Sequence, residues 1–600
     1  SACPISSAEN GASDPAIGST GRIMEYGTAA VTSPQFARWR QRRIDSSALV
    51  FALAIGLLLV IVAYPLLWLL MSAFGLPADF QLGNLIRVYT RTQNFVPLVN
   101  TLILAVGAGL LSVVLGAPLA WATARSDAPL RRLVQALVAV AYIMPPYLTA
   151  IAYIILLGPD AGYFNRALRA LTGAAQGPIN IFSMGGVIFV IGIHVFPFTY
   201  FLTYTALRSV DASYEEAASL LGASRWAVFL KVSLRVVAPA VTGGALLSAI
   251  DSMALFGPQA FLGLPAQITF LPTRIYGVIG SYPPRWSEAS ALSLTLVVLT
   301  ACGLLLQRAY LERRSYATVG GRGVRVETIR LGGWKWALAA FCFCIVFLSS
   351  IAPVVVLTIA AFSRSWVGGF SIANLTLANF DEAMFNNQIA ARGILNSFRL
   401  AAAAGACAVI VGATVAYVDL RTRARGRRLL DYLAALPLGL PGTVMAVGVL
   451  LAFIRPPFAI YGTMWILLVA YVARFVPLAT RSANSTLRQI DPSLEEAARI
   501  AGASRLATLW RILLPIARPG LAVAFLLVFI PALSELSATI LLYSSGTETI
   551  SVALFRLNDL GQLEVVAALA VFTIAVTLLV SLPLNWLSSR SLIAPSASAR

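Results

Sequence analysis

Long apolar runs separated by short polar stretches dominate this chain, and their spacing predicts a series of membrane-crossing helices. A bilayer core takes about 20 consecutive apolar residues per helix. Twelve runs meet that length, six in each half of the sequence. The first six lie near 49–73, 100–122, 133–157, 184–206, 238–260 and 288–307. The second six lie near 334–362, 396–419, 429–454, 462–480, 519–543 and 564–587. The fifth and eleventh are the least regular, because Gly257, Pro258 and Pro531 interrupt them.

Composition agrees with the pattern. Of 600 residues, 58% are hydrophobic and 12% charged, against about 25% charged in an average soluble domain. The net charge of +19 invites a nucleic-acid partner, but the placement of the arginines excludes one. Arg38, Arg40, Arg42 and Arg43 precede the first run, and further groups fall at Arg125, Arg131 and Arg132, at Arg308, Arg313 and Arg314, and at Arg421–Arg428. All lie on one side if the N-terminus is cytoplasmic, whereas the opposite loops carry only one or two each. This positive-inside bias places both termini in the cytoplasm. The cysteines show no disulfide or zinc spacing. Residues 1–48 read as a cytoplasmic tail, disordered over its Ser-, Ala- and Gly-rich part, with no signal peptide.

The chain is also an internal repeat. The stretch "NTLILAVGAGLLSVVLGAPLAWATAR" from Asn100 matches "NSFRLAAAAGACAVIVGATVAYVDLR" from Asn396, pairing Asn100 with Asn396, Gly109 with Gly405, Gly116 with Gly412 and Arg125 with Arg421. Further on, Asp211–Ala240 matches Asp491–Gly520 at 13 of 30 positions without a gap. Each half therefore has six spans, with a polar loop between its fourth and fifth. An even span count gives both halves the same orientation, so the repeats are parallel. The halves run 49–310 and 334–590, joined by a cytoplasmic linker at 311–333 and followed by a tail at 591–600. Their polar loops, 211–240 and 491–520, share one side of the membrane.

The repeated loop reads as a short helix, a sharp turn and a longer helix on the cytoplasmic surface. Asp211 and Asp491 stand as N-caps, with acids following in the first turn. Gly222 and Gly502 end the short helix as C′ glycines, and Ser224 and Ser504 can cap the next. One use of such a segment is an amphipathic elbow that positions the following span. The recurrence of Glu-Glu-Ala-Ala and Gly-Ala-Ser-Arg favours a second use, docking to a twofold partner. The segment resembles the EAA signature of ATP-binding-cassette (ABC) importer permeases. Glu496-Ala497-Ala498, Gly502 and Leu514-Pro515 match it throughout; Glu216-Ala217-Ala218 and Gly222 match in the first copy, where Arg235 replaces the proline.

That resemblance covers roughly residues 50–590 and implies an all-α polytopic protein of the type I importer permease fold. It implies that Glu215, Glu216, Ala217, Ala218 and Gly222, with Glu495, Glu496, Ala497, Ala498 and Gly502, form coupling helices. They would seat in two copies of a cytoplasmic ABC ATPase. It also implies an external substrate-binding protein, ATP and Mg on the ATPase subunits, and a place in the bacterial inner membrane. The chain's two lysines, Lys231 and Lys335, lie in no phosphate-binding G-x-x-x-x-G-K-[ST] sequence. No cofactor is expected in this chain.

Fusion of two permease halves is similar to the ferric-iron importers of that family, and also occurs in thiamine importers. "SELSATILL" at Ser534 resembles the ferric type. Asp251 and Glu535 stand in the fifth and eleventh spans, where a carboxylate is costly unless it faces a bundle interior or an aqueous path. Two such groups can line a passage for a multivalent cation; alternatively each is a helix-end acid paired with an arginine or backbone groups. His194, the only histidine, aligns with Arg474 and reads as a packing or polar-network residue. Thiamine, phosphonate and polyamine remain alternative cargoes. A twelve-span secondary transporter would share the symmetry but not the doubled docking loop.

Overall fold

The computed structural model describes residues 46–76, 83–209, 220–222, 234–313, 328–329, 331–368, 371–422 and 426–593. In chain order the first half contains α1 (Phe51–Ala73), α2 (Thr92–Arg125), α3 (Arg131–Ile143), α4 (Pro146–Leu157), α5 (Met184–Ser209), α6 (Arg235–Ala254), the short α7 (Leu271–Ile279) and α8 (Trp286–Leu311). The second half repeats the order. It has α9 (Trp334–Ala361), α10 (Gln388–Arg421), α11 (Arg427–Gly439), α12 (Gly442–Phe453), α13 (Met464–Arg488), the short α14 (Ser493–Ile500), α15 (Arg505–Leu533), the short α16 (Ile550–Asp559) and α17 (Leu563–Pro583). Among the described residues no strand forms beyond two isolated bridges. Among the described residues ten helices are long and apolar enough to cross a membrane, and up to twelve spans result if each bent pair counts as one. The protein is an all-α polytopic membrane protein built from two repeats.

The bent pairs correct the expectation of continuous third and ninth spans. α3 meets α4 at 101°, and α11 meets α12 at 116°. Both bends occur where a residue in extended conformation precedes a proline, at Met144 before Pro145 and at Leu440 before Pro441. A proline pushes the preceding residue out of the helical region and removes an N–H donor, so an apolar run alone cannot keep the helix straight. The fifth and eleventh spans also end early, α6 at Ala254 and α15 at Leu533. Gly257 and Pro258 lie beyond the end of α6, whereas Pro531 is carried inside α15. The chain then folds back: segments around 259–279 and 539–559 return into the interior with their apolar residues buried.

Repeated residues make repeated contacts, which explains several of the sequence matches. A Cβ on Gly116 would lie 2.9 Å from the Phe196 carbonyl oxygen, and one on Gly412 would lie 2.7 Å from the Thr480 nitrogen. These glycines let α2 pack backbone to backbone on α5, and α10 on α13. Asn100 donates its amide to Thr269 O, while the Asn396 amide donates to Gly546 O and Glu548 O. One residue on, Thr101 accepts from Leu271 N and Ser397 from Ile550 N, both at 2.8–2.9 Å. Each half thus ties the fold-back segment to its second span by an asparagine and a hydroxyl side chain at matched positions.

The halves also exchange their first helices. α1 packs on α12, where a Cβ on Gly448 would meet the Pro65 carbonyl at 2.9 Å. α9 packs on α4, where Tyr153 donates to Leu348 O at 2.8 Å. In both first helices a widened π-helical turn, Leu59–Ala63 or Phe347–Ile351, precedes Pro65 or Pro353. The wider turn accommodates the missing donor and the ring's clash with the carbonyl one turn back. Further aromatic contacts join the halves through the fold-back segments, with Phe261 5.5 Å and Phe256 6.2 Å from Phe555 between ring centroids.

Candidate functional site

The polar loop of the second half is described throughout. Asp491 accepts a hydrogen bond from Ser493 N at 2.8 Å, and bonds from Ser493 hold its carboxyl below the usual range. The helix α14 follows, with Glu495 and Glu496 in its first turn, where acids suit the helix dipole. It ends as expected at Gly502, whose φ of +83° favours glycine. Ala503 N donates to Ala498 O at 2.9 Å and Gly502 N to Arg499 O at 3.0 Å, the double closure of a Schellman end. Ser504 then caps the next helix by accepting from Ala507 N at 3.2 Å.

That next helix departs from expectation. Instead of a separate helix on the cytoplasmic surface, it runs through a widened turn at Leu509–Leu513 and past Pro515 into α15, one helix from Arg505 to Leu533. The loop is therefore levered directly on a span.

The two glutamates of α14 face different ways. Glu496, Ala497 and Ile500 are exposed, whereas Ala498 is buried and Glu495 turns inward. Glu495 Oε1 lies 3.0 Å from Arg421 Nε, a close charge contact without hydrogen-bond alignment. Arg421, at the end of α10, also donates to Leu487 O and Ile490 O at the end of α13. One arginine thus clamps α10, α13 and α14 together. Its sequence signal was present: Arg125/Arg421 is the one charged pair matched along that stretch of the repeat. In the first half Arg125 is buried in the equivalent place. Glu215, Glu216, Ala217 and Ala218 lie outside the described residues. Gly222 is described, and its φ of +82° repeats that of Gly502. Sequence reading overlooked Leu220, Leu221 and Ile500, which are 88%, 89% and 89% exposed. These bare apolar side chains stand beside both turns.

A second constellation lies between the halves. Glu535 follows the end of α15 and is buried. Its Oε1 accepts from Ala538 N at 2.9 Å, and its Oε2 lies 3.3 Å from Arg474 Nε. The Glu535 carbonyl accepts from Ser551 and Thr539 hydroxyls at 2.6 and 2.8 Å. Arg474 stands near the middle of α13, with one face against Gly442, where any Cβ would collide with its guanidinium. Asp251, on α6 of the other half, lies within electrostatic reach of Arg474 but forms no ion pair with it. The buried Tyr147 and Tyr471 hydroxyls both lie within electrostatic reach of Glu535.

Glu535 has the arginine and backbone partners of a helix-end acid. The sequence reading missed Arg474. A mid-span arginine is as costly as a carboxylate, and its alignment with His194 was the available signal. His194 itself is not part of this ion pair; its Nδ1 is buried without a hydrogen bond.

Comparison with known proteins shows the family of the chain. The family described as "Binding-protein-dependent transport system inner membrane component" matches residues 112–316 and again 408–592. A Haemophilus influenzae relative named for ferric transport is 26% identical over 534 residues, covering 88% of this chain and 82% of the relative. The ferric transport system permease protein FbpB of Actinobacillus pleuropneumoniae is 25% identical over 569 residues, covering 93% and 81%. A solved bacterial alginate ABC transporter, in complex with an alginate-bound periplasmic protein, aligns over 48% of this chain and 99% of its own at 17% identity and a TM-score of 0.37. With one family match in each half, together spanning well over half its length, the chain belongs to the binding-protein-dependent transport system inner membrane components, the permeases of ABC importers.

Proposed function

We propose that this permease imports ferric iron, delivered by an external binding protein and driven by two copies of a cytoplasmic ABC ATPase that hold ATP and Mg. The observation that carries the coupling part is the anchored loop of the second half. α14 presents Glu496, Ala497 and Ile500 outward, while Glu495 and Arg421 fix its inner face to α10 and α13. Its counterpart around Glu215, Glu216, Ala217, Ala218 and Gly222 completes a twofold docking surface. ATP draws the two ATPase subunits together, their clefts draw the loops together, and the spans open outward to the loaded binding protein. Hydrolysis releases the clamp and the path opens inward. Because the loop continues into α15, its displacement is delivered to the helix that ends at Leu533, two residues before Glu535.

The ferric assignment rests on relatives named for ferric transport that cover most of the chain; Asp251 and Glu535 are its candidate path carboxylates, the ligand type a hard cation takes. Both termini lie in the cytoplasm in this reading, following the arginine bias.

The test is reconstitution of the native complex in proteoliposomes with its binding protein, following ATP-dependent uptake of radioactive ferric iron. Thiamine, a phosphonate and a polyamine serve as competing cargoes. Iron uptake is expected, and uptake of a competitor in its place would overturn the ferric reading. Glu216→Ala combined with Glu496→Ala is expected to abolish uptake while leaving membrane insertion intact. Full uptake by that double variant would remove the coupling role from the loops.

A further inference from the structure

Two aromatic rings meet where the halves face each other, and the repeat fixes where that is. Leu271 N donates to Thr101 of α2 and Ile550 N to Ser397 of α10, so α7 and α16 start in the same register. Tyr276 follows Leu271 by five residues and Phe555 follows Ile550 by five, which makes them counterparts. Their ring centroids stand 6.3 Å apart, edge to face. A residue and its counterpart in a parallel repeat can touch only beside the axis that relates the halves, and that axis runs along the membrane normal. Tyr276 and Phe555 therefore flank the axis. The first half packs two more rings around Phe555, Phe261 at 5.5 Å and Phe256 at 6.2 Å between centroids. Phe256, Phe261 and Phe555 are buried, and Phe261 stacks in turn on Tyr147 in the first turn of α4.

We propose that Tyr276 and Phe555 are the two leaves of an aromatic gate that closes the translocation path on its outer side. The path of a permease built from parallel halves lies between them, along their common axis, so rings that meet on the axis obstruct it. The depth of the gate follows from α2. Thr101 lies nine residues from Thr92, the end of α2 remote from the coupling loops, or about 14 Å at 1.5 Å per residue. Leu271 is tied at that level, and Arg274, three residues on, donates to Asn94 at 2.8 Å, close to the end of α2. α7 thus climbs towards the outer end, and Tyr276 lies beyond Arg274. Aromatic faces offer no ligands to replace the hydration of an ion, and an apolar constriction shuts by excluding water. One leaf is carried by each half, so parting of the halves separates them. The inference takes from the proposed function only which end faces outward and that the resting path is open inward.

The experiment measures leak through the resting complex. Proteoliposomes holding the full-length permease with its ATPase are loaded with potassium, and a proton ionophore carries the balancing charge. Release is followed without ATP or binding protein. Wild type is expected to hold the ion, and Tyr276→Ala with Phe555→Ala should release it at least tenfold faster. Phe555→Leu, which removes the ring of one leaf only, should fall between the two, and it serves if the double variant does not fold. Phe529→Ala controls for general loosening. It removes a buried ring that packs on Phe525 and Phe398 of its own half, and it should stay tight. Equal tightness of wild type and both gate variants would overturn the gate, as would a leak through Phe529→Ala as fast as through the double variant. Tight gate variants beside a wild type that takes up iron sink the gate and leave the ferric reading intact. Leaky gate variants of a complex whose wild type takes up no iron keep the gate and remove iron as the cargo.

Discussion

The two halves share a skeleton and differ at their centre. Gly116 and Gly412 fill the same role at the same helix crossing, Asn100 and Asn396 tie the same fold-back segment, and Gly222 and Gly502 make the same left-handed turn. The middle of the molecule breaks this rule. The second half supplies Arg474 and Glu535, while the first has His194 and Leu255 in those places and brings Asp251 from one helical turn earlier. Repetition is retained where backbones approach each other or an end must be capped. It is relaxed at the buried Glu535–Arg474 pair, which has no counterpart in the first half.

The largest test of that asymmetry compares Arg474→Ala with His194→Ala. Removing Arg474 strips Glu535, which is 8% exposed, of its charged partner. Breaking a buried pair from one side costs about 3–5 kcal/mol. His194 has no charged partner of this kind, so its replacement should cost clearly less. Thermal unfolding of both variants in detergent checks this, and equal losses would mean the centre is as symmetric as the skeleton.

Next in size is the clamp on the coupling loop. Arg421→Ala leaves Glu495 facing inward and the Ile490 carbonyl unpaired, while Leu487 O keeps the Ile490 N–H, and a buried group left unsatisfied costs about 1–3 kcal/mol. Uptake should fall by at least tenfold, with the ATPase still bound through the exposed face of α14. Arg125→Ala should repeat the defect if the first loop is clamped in the same way. Wild-type uptake by the Arg421 variant would show that α14 is held by other contacts.

The skeleton predicts equality instead. Gly116→Ala and Gly412→Ala each force a methyl against backbone atoms, and overpacking of this sort costs about 1–3 kcal/mol. The two losses in unfolding free energy should agree within about 0.5 kcal/mol. A tolerant site in one half and an intolerant one in the other would show that α2 and α10 cross their partners differently.

Much of this was legible in the residues. The span series and the parallel repeat follow from the length of apolar runs and from matched polar positions, since a bilayer admits few alternatives to helices. Gly502 and Ser504 are legible because a left-handed turn and a helix start demand particular residues. What was not legible depends on partners distant in sequence. The exchange of α1 and α9 between halves leaves no local mark, because apolar helices look alike whichever bundle they join. The bends at Met144 and Leu440 were signalled by Pro145 and Pro441, but apolar length outweighed them. Arg474 was visible only as a misfit, since its meaning depends on Glu535 and Gly442 arriving beside it.

The smallest effect separates the two readings of the repeated loop most cleanly. Ser504 accepts from Ala507 N and begins the helix that carries the loop into α15. Ser504→Ala removes a cap worth about 1 kcal/mol, too little to unfold a protein of this size. The lost bond should let the first turn, Arg505–Thr508, open more often. Hydrogen exchange at those amides should quicken by roughly fivefold, with protection in the core of α13 unchanged. A loop that only positions the next span tolerates a loose first turn, so ATPase stimulation by loaded binding protein would stay at the wild-type level. A loop that transmits force through α15 does not, and stimulation should drop while basal ATP hydrolysis holds. Quickened exchange with full stimulation would therefore place the transmission elsewhere, most directly in the Arg421 clamp to α10 and α13.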